Sequence, residues 1–327
     1  MPYDVSVPPV PRAAARRRPA LAAAGLVAAV CLTASGCGGD SGQARPHPGG
    51  GAASPSSEPS AGPSASAPGG SAAASAAPSS GPAGTPSPPR SSPAAERPLP
   101  DGPLSGRTVV VDPGHNPRNY QHSREINRQV DIGTTHKECD TTGTSTDSGY
   151  SEARFTLDVS HRLRTLLEAR GARVVLTHDD DRPYGPCVDE RARIGNDAKA
   201  DAVVSIHADG SAVGNRGFHV ILPAEVRGGA ADTSKIVDRS RDLGTRMAGL
   251  FVRATGSAPS NYVGGRSGLD TRKDLGGLNL STVPKVFIEC GNMRDPADAA
   301  LLTDAGWRQK AAQGIADGIG SYLRAVP

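Results

Sequence analysis

Residues 106–327 are predicted to form a single α/β domain built on a largely parallel sheet, and three observations predict it. Short runs rich in Val and Ile alternate with longer segments of helical period, the pattern of strands joined by crossover helices. Several of these runs, such as Val109-Val110-Val111 and Val203-Val204, are apolar without alternation, as expected of strands covered by helices on both faces. The residues before 106 show neither period, so one domain accounts for the part that can build a core.

From the N-terminus, Arg12, Arg16, Arg17 and Arg18 precede an apolar run over residues 20–33 that is too short to span a bilayer comfortably. Residues 1–37 therefore read as an export signal. The run ends Ala34-Ser35-Gly36-Cys37, which resembles the lipobox of bacterial lipoproteins, where cleavage precedes a Cys that becomes lipid-modified. Cys37 is thus a candidate lipidation site, which would anchor the protein to the outer face of the cytoplasmic membrane. Ala34 stands where Leu is usual, so secretion into the wall is the alternative. Residues 38–105 are Gly, Ser, Ala and Pro with hardly any large apolar side chain, too little to offset the entropy of ordering them. They read as a disordered linker that either lets an anchored domain reach into the wall or has no reach function. The net charge of +3 mixes both signs and aromatic residues are 3% of the chain, which argues against nucleic acid as a partner. No protein partner is readable.

Beyond residue 106, strands are expected over residues 107–111, 172–177, 202–206, 218–222 and 285–288. A helix over 153–170 places Phe155, Val159, Leu163 and Leu166 on one stripe, and Gly171 stands where a helix stop belongs. Further helices are expected over 189–199, 235–254 and 305–323; in the last, Trp307, Ala311, Ile315, Ile319 and Leu323 form the apolar stripe. Residues 116–150 fit neither period and read as one long loop, a kind usually functional or constrained. Cys139 lies in that loop and Cys187 just before the next helix, and in an exported chain two such cysteines are expected to pair.

Four polar residues fall just past expected strand ends or at the start of a following helix, where open α/β sheets build their sites: His115, Glu152, His207 and Glu289. Each alone is ordinary, since a His at a strand end is more often structural and Glu152 suits a helix N-terminus. Together, two imidazoles and one carboxylate make the ligand set of a catalytic zinc with a position open to water, and a further carboxylate can serve as base. His115, Glu152 and His207 are accordingly assigned to one zinc per chain and Glu289 to proton transfer. Asp112, Arg191 and Asn279 are candidates for substrate contact or for support of the site. His122, His136, His161, His178 and His219 are expected to be surface or structural. Cys290 beside Glu289 raises a thiol nucleophile as a rival, but a reactive thiolate needs an electropositive setting, and its neighbour is a carboxylate.

The stretches Val110-Val111-Asp112-Pro113-Gly114-His115, Glu152 with Phe155 and Leu157, Val204-Ser205-Ile206-His207-Ala208-Asp209-Gly210, and Phe287-Ile288-Glu289-Cys290-Gly291-Asn292-Met293 resemble, in this order, the zinc-dependent N-acetylmuramoyl-L-alanine amidases. The resemblance spans nearly all of residues 106–327. It implies a twisted, mostly parallel sheet of about six strands with helices on both faces. It also implies cleavage of the amide between N-acetylmuramic acid and L-alanine in peptidoglycan or muropeptides, with the same four residues in the roles given above. Cys139 and Cys187 resemble the disulfide of actinobacterial-type members. The long loop departs from other members, and its place beside a ligand makes it a candidate gate. The other readings are a zinc peptidase cutting within the stem peptide and a non-catalytic wall-binding module.

Overall fold

The computed structural model describes residues 99–326. The expected signal, Cys37 and residues 38–98 of the linker lie outside the described residues. In order, the chain forms β1 (Thr108–Pro113), α1 (Ser123–Ile126), β2 (Gln129–Asp131), β3 (His136–Glu138), α2 (Glu152–Glu168) and β4 (Arg173–Leu176). It continues with α3 (Val188–Asp197), β5 (Ala202–Asp209), β6 (His219–Pro223), the short pair β7 (Arg227–Gly228) and β8 (Ala231–Asp232), and α4 (Val237–Thr255). The last elements are β9 (Leu269–Arg272), α5 (Gly276–Asn279), β10 (Lys285–Asn292), α6 (Pro296–Thr303) and α7 (Ala305–Ala325).

The main sheet runs in the order β4-β1-β5-β10-β6-β9. β4, β1, β5 and β10 are parallel, β6 is antiparallel to β10, and β9 runs parallel to β6. Burial explains why the apolar runs lack alternation. Val109 and Val111 enter a large core with Phe155, Val159 and Leu163 of α2 and with residues of α4 and α7. Val110, between them, enters a separate cluster with Val203, Ile194 and Ala198 on the α3 side. Each fully buried side chain of this size contributes about 1.5–3 kcal/mol relative to exposure. The stripe Trp307, Ala311, Ile315, Ile319, Leu323 is buried throughout, as its spacing predicts.

The structure differs from the sequence expectation in four places. Packing begins within the stretch expected to be linker: Leu104 is buried and its N–H donates to Arg170 O at 2.9 Å. β5 and β10 run three and four residues beyond the expected 202–206 and 285–288. His207 and Glu289 therefore lie inside strands instead of past their ends, because polar side chains do not interrupt a backbone ladder that still has partners. The loop 116–150 is not structureless. It carries α1 and the β2–β3 hairpin, whose Val130 and Ile132 pack on the disulfide between Cys139 and Cys187, Cα atoms 4.2 Å apart. Finally β9 has only Leu269 as a large apolar residue and α6 is short, so neither carries a period long enough to read. β9 is held as a strand by pairing with β6, and α6 by Asp295, whose carboxylate accepts from Ala297 N and Asp298 N.

Candidate metal centre

β1 delivers the first candidate ligand, His115. After Pro113 the chain turns at Gly114, whose N–H donates to Ile206 O at 3.0 Å, so the ends of β1 and β5 stay together. A Cβ on Gly114 would lie 2.4 Å from His207 Cε1, hence only glycine lets the two histidines share the site. His115 follows with φ 61°, a left-handed conformation uncommon outside glycine.

Glu152 opens α2 and points back over the strand ends. Its Oε1 lies 2.9 Å from His207 Nδ1 and accepts from Ala208 N at 3.2 Å; its Oε2 lies 3.2 Å from His115 Nε2 and accepts from Thr144 N at 3.0 Å. The two imidazoles meet edge to face with centroids 5.0 Å apart, and His207 stacks on Phe287 at 5.3 Å. One donor atom from each of His115, Glu152 and His207 falls within 4.8 Å of the others, and among the described residues no other group of His, Cys, Asp and Glu does this.

The donor set fits zinc. One donor atom from each of the three residues lies within 4.8 Å of the other two, and two imidazole nitrogens with a carboxylate oxygen are donors that zinc takes. The remaining ring nitrogen of His115, Nδ1, lies 3.1 Å from Thr141 O and 3.3 Å from Asp140 Oδ1. That leaves Nε2 facing the Glu152 carboxylate.

Glu289 stands beside His207 as its register partner on the adjacent strand. Its Oε2 is buried and meets no hydrogen-bond partner among the described residues. Burial, then the neighbouring charges of Glu152 and Asp209, push its carboxyl well above the usual range. Burial raises Glu152 as well, but the charge of His115 and hydrogen bonds from both histidines outweigh it and hold Glu152 well down. The two carboxyls thus sit in opposite electrostatic settings, Glu152 among positive partners and Glu289 among negative ones. Asp209, Arg272 and Leu275 extend the same cleft. A second, mostly apolar hollow adjoins it on the far side of the histidines, between Lys137, Val188, Gly276 and Phe287.

Of the other expected residues, Asp112 and Arg191 are buried and paired to each other at 2.8 Å. Asp112 also accepts from Lys285 Nζ at 3.1 Å and Thr177 Oγ1 at 2.7 Å. Asn279 is buried behind the cleft, where its amide donates to Lys273 O at 2.9 Å and to Thr134 Oγ1 at 3.3 Å. Cys139 and Cys187 are bonded. Cys290 is buried, and burial followed by Glu289 and Glu152 pushes its thiol well above the usual range, the opposite of what a nucleophile needs. His178 and His219 are buried; His161 and His122 lie nearer the surface, each beside a carboxylate.

Sequence reasoning missed Asp140, Thr141, Gly143 and Lys285. Asp140 and Thr141 sit in an aperiodic loop, and only their adjacency to Cys139 hinted at a fixed position. A Cβ on Gly143, at φ 71°, would fall 2.7 Å from His115 Cδ2 and 2.8 Å from Glu152 Oε2. Lys285 opens an apolar strand and is fully buried against Asp112, a pairing that no spacing announces.

With this geometry in place, comparison with known proteins is direct. Rv3717, an N-acetylmuramoyl-L-alanine amidase of Mycobacterium tuberculosis, is 41% identical over 221 residues, covering 67% of this chain and 88% of that protein. The crystal structure of the N-acetylmuramyl-L-alanine amidase Ami1 from Mycobacterium smegmatis superposes with a TM-score of 0.62 at 39% identity, covering 68% of this chain and 99% of that one. The apo form of Ami1 from Mycobacterium abscessus gives 0.62 at 41% identity, covering 67% and 100%. Residues 109–321 match the Amidase_3 family, described as N-acetylmuramoyl-L-alanine amidase, and the chain belongs to that family.

Proposed function

We propose that the protein is a zinc-dependent hydrolase that cleaves the amide between N-acetylmuramic acid and the L-alanine of the peptidoglycan stem peptide. The observation that carries this reading is the pairing of a compact His115, Glu152, His207 donor set with Glu289, whose buried oxygen has no partner among the described residues. When bound, zinc supplies a Lewis acid that polarises the carbonyl and makes water acidic enough to attack a poorly electrophilic amide. The protein's own residues do the rest. His115, Glu152 and His207 would hold the ion. Glu289 takes the proton of the attacking water and passes it to the departing alanine nitrogen, a role suited to a carboxylate beside the metal site whose buried oxygen has no partner among the described residues. Phe287 keeps the His207 ring flat against the floor of the cleft.

The test is metal content together with product analysis on peptidoglycan fragments. Zinc near one per chain, with free stem peptide and sugar bearing a free lactyl carboxylate as products, is the expected result. Fragments cut within the stem peptide would instead make the protein a zinc peptidase, and binding to sacculi without release would make it a wall-binding module.

The proposal extends to place. The Arg-led apolar run and Cys37 support export to the cell envelope with residues 38–98 as a tether, and a diacylglyceryl group on a mature N-terminal Cys37, found by mass spectrometry, is the expected mark of anchoring. A mature N-terminus elsewhere, without lipid, points to secretion into the wall. Among the described residues no helix is long and apolar enough to cross a membrane.

A further inference from the structure

The polar groups behind His115 lead to a buried carboxylate, Asp140. Its Oδ1 lies 3.3 Å from His115 Nδ1, and its Oδ2 accepts from Arg191 Nη2 at 2.9 Å. Arg191 is itself committed on every side. Nε donates to Pro186 O at 2.9 Å, Nη1 to Asp112 Oδ1 at 2.8 Å and to Pro113 O at 2.6 Å, and Nη2 also to His115 O at 3.0 Å. One planar guanidinium thus grips the backbone on both sides of Gly114 and holds Asp140 against the ring that follows. His115 needs such a grip, because its φ of 61° is a basin that a residue with a Cβ leaves unless its surroundings hold it there. Asp140 is pinned from its other side as well. Cys139 is bonded to Cys187, Val188 N donates to Cys139 O at 2.8 Å, and Arg191 N donates to Cys187 O at 2.9 Å. The disulfide therefore joins the residue before Asp140 to the residue that opens the helix carrying Arg191.

We propose that Asp140 is a positioning residue for the metal: it holds the His115 ring so that Nε2 faces Glu152 and the ion, with Arg191 and the disulfide holding Asp140 in turn. This rests on the metal site proposed above. An imidazole that donates its Nδ1–H to a carboxylate is locked in one tautomer, keeps its Nε2 lone pair free, and becomes a more basic ligand. Thr141 O and Oγ1, 3.1 and 3.2 Å from the same nitrogen, are neutral and hold the ring less strongly than a charged acceptor. Loss of the Asp140 charge then weakens the metal while His115 keeps its two neutral Thr141 partners.

The experiment measures zinc dissociation constants of the purified protein by chelator competition, alongside the visible spectrum of the cobalt(II)-loaded form. Wild type is compared with Asp140→Asn and with Asp298→Asn. Asp298 is another buried carboxylate, on α6, that accepts from Gly217 N and Asn292 N away from His115. Asp140→Asn is expected to raise the zinc dissociation constant about 10–100-fold and to alter the cobalt spectrum. Asp298→Asn is expected to lower the melting temperature and leave both readings unchanged. If Asp140→Asn does not fold, Arg191→Lys replaces it, since a lysine cannot reproduce the fork that holds Asp140, and the same loss is expected. Wild-type affinity and spectrum in the folded variant overturn the role of Asp140 while leaving the metal site standing. An equal loss in Asp298→Asn overturns it too, by reducing it to general destabilisation. A wild-type protein that binds no zinc overturns both the site and this inference.

Discussion

Glu289 and His207 are direct partners across the parallel ladder of β10 and β5, so the carboxyl proposed to carry the proton and a proposed metal ligand are set side by side by backbone hydrogen bonds instead of by a loop. Rigid strands hold a catalytic pair to a fraction of an ångström, where a loop would let it drift. This arrangement separates metal binding from proton transfer in a way that mutation can expose.

Glu289→Gln keeps the shape of the side chain and removes its ability to carry a proton. The variant is expected to retain zinc near one per chain and to lose about 10²–10⁴-fold in kcat. Metal analysis with steady-state kinetics on muropeptides checks it, and loss of zinc together with activity would assign Glu289 to the metal instead.

Gly114→Ala puts a methyl group 2.4 Å from His207 Cε1, and Gly143→Ala puts one 2.7 Å from His115 Cδ2 at a positive φ. Each is expected to displace a ligand, lowering zinc affinity at least about tenfold and activity with it. Chelator competition reads the first effect directly, and wild-type affinity in either variant would mean that the close approach relaxes without cost.

Asp112 sits between two buried cations. Burial alone raises its carboxyl, but Lys285 and Arg191 outweigh that and bring it well below the usual carboxylate range. The unfolded chain, with an ordinary carboxyl near about 3.9, therefore binds this proton more readily than the folded one, and stability from Asp112 is present above that range and lost as pH falls below it. The metal-free protein is expected to lose melting temperature steeply below about pH 4. Asp112→Ala, which leaves Arg191 and Lys285 short of a partner, is expected to cost about 3–5 kcal/mol at neutral pH. Calorimetry across pH checks both.

The disulfide closes 48 residues of chain. Replacing Cys139 and Cys187 by Ser is expected to lower unfolding free energy by about 4 kcal/mol, from the greater entropy of the unfolded chain. Urea denaturation checks it, and an unchanged midpoint would place the tie at the loop alone.

Much of the fold was legible because its signals are local. The run Val109 to Val111 reads as a doubly covered strand from its composition, and α2 from the four-residue recurrence of Phe155, Val159 and Leu163. β9 and the β2–β3 hairpin were not legible: Leu269-Asp270-Thr271-Arg272 has no pattern of its own and exists as a strand because β6 offers it a backbone ladder. The extensions of β5 through His207 and of β10 through Glu289 were hidden for the same reason.

The sequence by itself determined the order and identity of the chemical groups: a histidine after Pro113-Gly114, a carboxylate at the start of α2, a histidine and a glutamate just after apolar runs, and two cysteines able to pair. These follow from residue type and short-range period, which need no knowledge of partners. Tertiary structure alone decided how the groups are held. Arg191, four residues into the helix that Cys187 opens, reaches Asp112 and Asp140 only because β1, α3 and the disulfide-tied loop converge, and Lys285 meets Asp112 from a strand 173 residues away in the chain. Such contacts depend on long-range packing and on the cost of leaving a buried charge unpaired, and neither leaves a mark in local sequence.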